Sequence, residues 1–342
     1  LAFELEKKRK QGKKINYLIL TDQKSPLMNT SSLSFGHCRV PKKEGLERII
    51  RESVEKLGED ENRMRFIYSN AGLVINLLDE LKVNFEYRSF GVIPLGKKRG
   101  GRLILEKLQE NIPFFETETE LIDFSKSEGE FILNLKKRDE EMILKTKYLV
   151  LGTGGYGGKF PNNDNFRYNS YNIFDIVREN NGNIINTNSI FIHPFGYNKG
   201  KNIFIGNEVK EGRFIDSNNN PVFDERVGKL IKDNNYHEFF KDVLEQIKIC
   251  KDKGLSVYFD DGKRKLEICP TVHYTPGGIN TDYFGKVIGC ENLYAIGECK
   301  ADGLKNGGRF SWLSIYLCYC ECKISRRLSL QNFINHKRLD KL

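Results

Sequence analysis

Between residues 269 and 315 the chain gathers residue types that can bind an anion beside a nucleotide-like group. His273 stands just ahead of Gly277-Gly278, a turn with no side chain to block close approach. The short apolar run 292–296 ends in Gly297-Glu298, and a Gly-rich loop then carries one Arg, Arg309, into an apolar stretch. Strand, acid, glycine loop and helix in that order suit a nucleotide or flavin held at a helix N-terminus. A His and an Arg nearby supply donors for an anionic group beside it.

The elements that would position these residues begin at the first position. Residues 1–10 read as an amphipathic helix ending at Gly12, and 15–20 (I-N-Y-L-I-L) as a buried strand that runs into Thr21-Asp22. Helix, Gly, strand and acid form the second half of a βαβ nucleotide unit, whose glycine turn is expected ahead of Leu1. Asp22 is then either the acid that holds a ribose hydroxyl or an ordinary solvent-facing carboxylate. The loop 29–36, N-T-S-S-L-S-F-G, puts Thr30, Ser31 and Ser32 where hydroxyls cap a helix or approach phosphates and flavin edges. Residues 44–57 and 65–81 have helical spacing, 85–94 is strand-like, and 102–110 is a short helix after Gly100-Gly101. Strands over 114–135 turn at Gly129, and the strand 148–151 leads into T-G-G-Y-G-G, with Thr153, Gly154 and Gly155 at its start. A helix over 171–178 precedes F-I-H-P-F-G, which carries His193. From about 198 to 265 the chain turns polar, with short strands and a helix over 236–250, and reads as an inserted second domain.

Composition narrows the class. Of 342 residues 39% are hydrophobic, enough for a substantial core. No apolar run approaches the roughly 20 residues of a membrane helix, and no signal-peptide pattern is visible. The net charge of +9 sits in scattered Lys/Arg runs, without the basic stripe and interleaved aromatics of a nucleic-acid binder. Of the eight Cys, three form C-Y-C-E-C at Cys318, Cys320 and Cys322, a helix-like run without zinc spacing. No metal site is expected, and reduced thiols point to a cytoplasmic protein.

Taken together, these segments resemble the flavoprotein family of L-aspartate oxidase and the fumarate reductase and succinate dehydrogenase flavoprotein subunits. The family's A-T-G-G is here G-T-G-G, its Q-F-H-P-T is F-I-H-P-F at His193, and its H-Y-T-x-G-G is His273-Tyr274-Thr275-Pro276-Gly277-Gly278. Its L-Y-A-x-G-E is matched fully at 293–298, and its G-L-H-G-A-N-R-x-x-S-N-S-L becomes G-L-K-N-G-G-R-F-S-W-L-S-I, keeping Arg309 and Ser314. Phe223-Asp224-Glu225-Arg226 matches the first letters of a capping-domain motif of the aspartate-oxidase branch.

The resemblance implies an α/β fold: a Rossmann-like FAD-binding domain (1–195 and 269–342) with an inserted α+β capping domain (196–268). It implies non-covalent FAD, held by Asp22, Thr30, Ser31, Ser32, Thr153, Gly154, Gly155, Glu298 and Ser314. It implies a dicarboxylate bound by His193, His273, Thr275 and Arg309. His273 and Arg309 are expected to act in catalysis, with Lys232, where the family has a catalytic Arg, or the neighbouring Arg226 moving the proton. The activity implied is oxidation of L-aspartate to iminoaspartate by hydride transfer to the flavin, with oxygen or fumarate taking the electrons. Iminoaspartate feeds quinolinate and NAD synthesis, so a pathway or subunit partner is a further expectation. Lys305, Gly308, Trp312 and Leu313 depart from the family loop, and Ser170-Tyr171-Asn172 replaces its G-D-G. Two alternatives therefore stand beside the oxidase: a soluble fumarate reductase or succinate dehydrogenase-like enzyme, and a diverged, non-catalytic flavin-fold subunit.

Overall fold

The computed structural model describes residues 1–88, 91–166, 172–204, 209, 212–232 and 236–302. The chain divides into two compact units. The first comprises Leu1–Tyr156, Tyr168–Ser189 and Pro276–Leu342, and the second Gly157–Arg167 and Ile190–Thr275. The second contains the segment 196–268, so one unit interrupts the sequence of the other.

In the first unit, hydrophobic spacing builds a helical layer. Helix Leu46–Leu57 buries Ile49, Ile50 and Ser53. Helix Glu61–Ser69 buries Met64, Ile67 and Tyr68, and helix Gly72–Glu80 buries Val74, Leu77 and Leu78. Each of the last two sets has the i, i+3, i+4 pattern of a single apolar stripe. These residues share one core with Cys38, Val92 and Ile104. The stretch 65–81 expected to be helical is interrupted at Asn70, whose amide turns back to donate to the Phe66 carbonyl at 2.7 Å. Such local bonding competes with the helix ladder. Helix Gly100–Glu110 begins on its two glycines, not after them.

The strands carry the topology. Ile19–Leu20 pairs in parallel with Phe115–Glu116, and Leu149–Leu151 pairs in parallel with Leu293–Ala295. Only the last two residues of the expected strand 15–20 enter a ladder. An antiparallel meander follows Glu116: Thr119–Ser127, Glu130–Lys137 and Glu140–Thr146. It buries Phe124, Phe131, Leu133 and Leu135 on one face. Two parallel pairs with intervening helices and a meander make the α/β fold.

The second unit is α+β. Strands Arg213–Asp216, Val257–Asp260 and Lys265–Glu267 form an antiparallel sheet. Val243 and Ile247, one turn apart on helix Tyr236–Asp252, are buried in one core with Phe195, Phe204, Phe214, Phe259 and Ile268. Four buried phenylalanines belong to this core. Strand Phe191–His193 pairs antiparallel with Thr271–Tyr274.

Candidate functional site: a histidine pair and the ends of parallel strands

In the second unit, His193 lies opposite Thr271 in the ladder, and a bulge between Phe191 and Ile192 resets the register beyond it. His273 sits two residues further along the facing strand, on the same face and diagonal to His193, a position long side chains reach. The two rings meet with centroids 5.8 Å apart at 71°. Phe240 lies 5.3 Å from the His193 ring and Phe191 6.0 Å from that of His273, so the pair has aromatic walls.

The two imidazoles differ in kind. His193 is 8% exposed, and its Nδ1 accepts the Phe195 backbone N–H at 3.3 Å. That bond leaves the ring proton on Nε2. Burial, reinforced by the neighbouring His273, pushes its pKa well below the ordinary imidazole value, so it is neutral at physiological pH. His273 is half-exposed, and its Nδ1 lies 2.6 Å from Oδ2 of Asp164. Thr275 follows two residues later and is fully buried.

In the first unit, the strands Leu149–Leu151 and Leu293–Ala295 run side by side, and both loops at their C-terminal ends turn through left-handed glycines. Gly154 has φ +83° and Gly297 φ +69°, conformations that L side chains rarely adopt. Thr153 is exposed, and Glu298 is half-buried in the turn Gly297–Cys299. The two loops are tied through Cys299, whose thiol donates to the Leu151 carbonyl at 3.1 Å; burial pushes it up to about 11, partly offset by hydrogen bonds with the Ile296 backbone and with the backbone and side chain of Thr153. Tyr156, which donates to the Ser189 carbonyl at 2.9 Å, is pushed up to about 12 by burial and by the nearby Glu298 and Asp302 carboxylates.

The remaining residues fall as follows. Asp22 is exposed just past Ile19–Leu20, its Oδ1 accepting the Gln23 amide at 2.9 Å. Asn29 caps helix Thr30–Leu33 by accepting the Ser32 N–H at 2.9 Å. Ser32 is buried and its hydroxyl donates to the Leu27 carbonyl, whereas Thr30 is half-buried and Ser31 exposed. Arg226 and Lys232 lie on helix Glu225–Lys232, capped by Asp224 at the Val227 N–H (2.8 Å), and their side chains are outside what the structure describes. Their Cα positions are about 120° apart around the axis. Arg309 and Ser314, with Lys305, Gly308 and Trp312, lie outside the described residues.

Sequence reasoning missed Asp164. Its partner His273 is 109 residues away, and the run N-N-D-N around it carries no recognisable pattern. The available signal was position: an acid shortly after a glycine-rich loop.

The donors at the strand ends suit FAD. Glycine turns let the backbone approach a pyrophosphate, Thr153 offers a hydroxyl, and the carboxylates of Asp22 and Glu298 match ribose or ribitol hydroxyls. Among the described residues no group of His, Cys, Asp and Glu could hold a metal ion.

Comparison with known proteins agrees. The FAD binding domain family matches residues 210–309. L-aspartate oxidase of Clostridium perfringens is 26% identical over 344 residues, covering 86% of this chain and 77% of that protein. The enzyme of the same name from Clostridium acetobutylicum is 23% identical, covering 78% and 69%. Among solved structures, a variant of the FrdA subunit of E. coli quinol fumarate reductase superposes with a TM-score of 0.76 at 14% identity, over 99% of this chain and 69% of that one. The chain is thus similar to the L-aspartate oxidases, carries a match to the FAD binding domain, and has the fold of the fumarate reductase–succinate dehydrogenase flavoprotein subunits.

Proposed function

We propose that this protein oxidises L-aspartate to iminoaspartate. The observation that carries the reading is the pair of imidazoles on adjacent strands, one buried and neutral, the other half-exposed and tied to a carboxylate. A four-carbon dicarboxylate needs donors at both ends and one carbon fixed for reaction. His193 donates from Nε2 to a carboxylate oxygen, and His273 with Thr275 completes that end. Arg309 offers its planar fork to the other carboxylate. The substrate loses a hydride from Cα and a proton from its ammonium group, which leaves the protonated imine, and loss of a second proton gives iminoaspartate. Bound FAD supplies the hydride acceptor, and Lys232 or Arg226 takes part in moving the proton. The product feeds quinolinate formation. The five described cysteines, all free, fit a reducing cytoplasm, and among the described residues no helix is long and apolar enough to cross a membrane.

A second reading rests on Trp312 and Leu313, which replace small polar residues of the family loop. It holds that the protein keeps the fold without turnover. The visible spectrum of the purified protein separates the two. A flavin absorbance that bleaches anaerobically with L-aspartate supports the oxidase. Bleaching by succinate alone indicates a sibling enzyme, and a protein colourless even with added FAD indicates the non-catalytic subunit. Arg309→Leu should slow bleaching by roughly 100-fold, the usual loss when one partner of a buried charge pair is removed.

A further inference from the structure

We infer that Asp164 is a positioning residue for His273, setting which ring nitrogen that histidine presents to the dicarboxylate. The inference rests on the reading of the histidine pair as a dicarboxylate site. The geometry is specific. Asp164 Oδ2 lies 2.6 Å from Nδ1 of His273, a short hydrogen bond of the kind a carboxylate makes with an imidazole N–H. The Asp164 side chain is 12% exposed against 41% for His273, so the carboxylate stands behind the ring and the ring remains reachable. Its second oxygen, Oδ1, is buried and has no hydrogen-bond partner among the described residues.

An ionised carboxylate only accepts, so Nδ1 must carry a proton and Nε2 becomes the nitrogen that meets a ligand, as a donor to a substrate carboxylate in the doubly protonated ring. His193 is fixed in the opposite sense, with Nδ1 accepting the Phe195 N–H and Nε2 holding the proton. The two rings thus face one another with different nitrogens committed to the protein. Local structure holds Asp164 in place. Asn163 bridges to Val272 in the His273 strand, and the Asp164 N–H donates to the Val272 carbonyl at 3.3 Å. The side chain of Asn163 meanwhile donates to Phe160 and accepts the N–H of Asn165. The carboxylate is therefore registered against the same strand that carries its histidine. A carboxylate that fixes an imidazole's tautomer can govern activity without touching substrate.

The test uses the full chain loaded with FAD and five proteins: wild type, Asp164→Asn, Asp164→Glu, His273→Gln and the Asp164→Asn/His273→Gln double variant. Succinate affinity is measured by isothermal titration, bleaching by L-aspartate under anaerobic conditions, and the His273 tautomer by imidazole 15N NMR at about pH 9, above the ordinary imidazole range. Asp164→Asn should weaken succinate binding and slow bleaching by roughly tenfold or more. Asp164→Glu should recover part of the loss, and the double variant should be no worse than His273→Gln, since the two act as one unit. Losses that multiply in the double variant, or an Asp164→Asn protein that binds and bleaches like wild type, overturn the inference. If wild type neither binds succinate nor bleaches, the dicarboxylate reading fails, and the NMR still decides the link between the two residues. A wild-type His273 with its proton on Nδ1 sustains it, and one with its proton on Nε2 sinks it even where Asp164→Asn fails to fold.

Discussion

His193 is held neutral by its surroundings, and that has a measurable consequence for folding. Its pKa is lowered in the folded protein, so the unfolded chain binds a proton that the folded one resists. Stability is then fully present above the ordinary imidazole range and falls as the pH drops through it, by up to about 1.4 kcal/mol per pH unit for one such group. Replacing His193 with Gln, which keeps an amide able to accept the Phe195 N–H, should remove that part of the acid sensitivity. Urea denaturation between about pH 7 and pH 5 would show wild type losing more stability than the variant. Equal slopes would mean that His193 titrates freely. Both histidines of the pair were legible in the sequence, because each sits in a motif with fixed spacing. Their chemical difference was not, because it comes from Phe195, Phe240 and Asp164, which no local pattern ties to them.

At the scale of elements, the glycines that open helix Gly100–Glu110 set the position of the hydroxyl-rich loop. A methyl added at Gly101 would overlap the Ser31 carbonyl and the Ser34 hydroxyl, and Gly36 and Gly100 are pressed together in the same way. Ser34 accepts the Gly101 N–H at 3.2 Å through its carbonyl, so helix and loop are joined backbone to backbone. A Gly→Ala change within a helix ordinarily stabilises by about 0.5–1 kcal/mol. Here the backbone clash decides the sign, and Gly101→Ala should destabilise by about 1–3 kcal/mol. Chemical denaturation would measure it, and a stabilised variant would show that the loop can move aside. Helices were the elements best read from sequence: the stretches 44–57 and 236–250 carry their periodicity on their face, whereas helix Ala2–Lys10, expected to be amphipathic, buries the consecutive Phe3, Glu4, Leu5 and Glu6. The parallel pairs were harder: the strands at 15–20 and 148–151 were read, but their partners lie about 96 and 144 residues away, where no local pattern points to them.

At the scale of the molecule, the residues assigned to FAD come from distant stretches of one unit. Asp22, Thr153 and Glu298 each stand at the C-terminal end of a parallel strand. An unfolded chain cannot bring three such stretches together, so FAD should bind only the folded state. Binding of that kind raises the unfolding free energy by about 2.7 kcal/mol when free ligand is a hundredfold above its Kd. Thermal unfolding scanned against FAD concentration should therefore show a midpoint that climbs steadily with FAD. Glu298→Gln should shift the curve to higher FAD concentration, because an amide accepts hydroxyl protons less strongly than a carboxylate. AMP should reproduce part of the climb if the adenosine end is held by Asp22 and Thr153, and Asp22→Ala should then remove that part. A midpoint that ignores both ligands would leave the glycine turns as relics of the fold, and with them the reading in which Trp312 marks a protein that no longer binds its flavin.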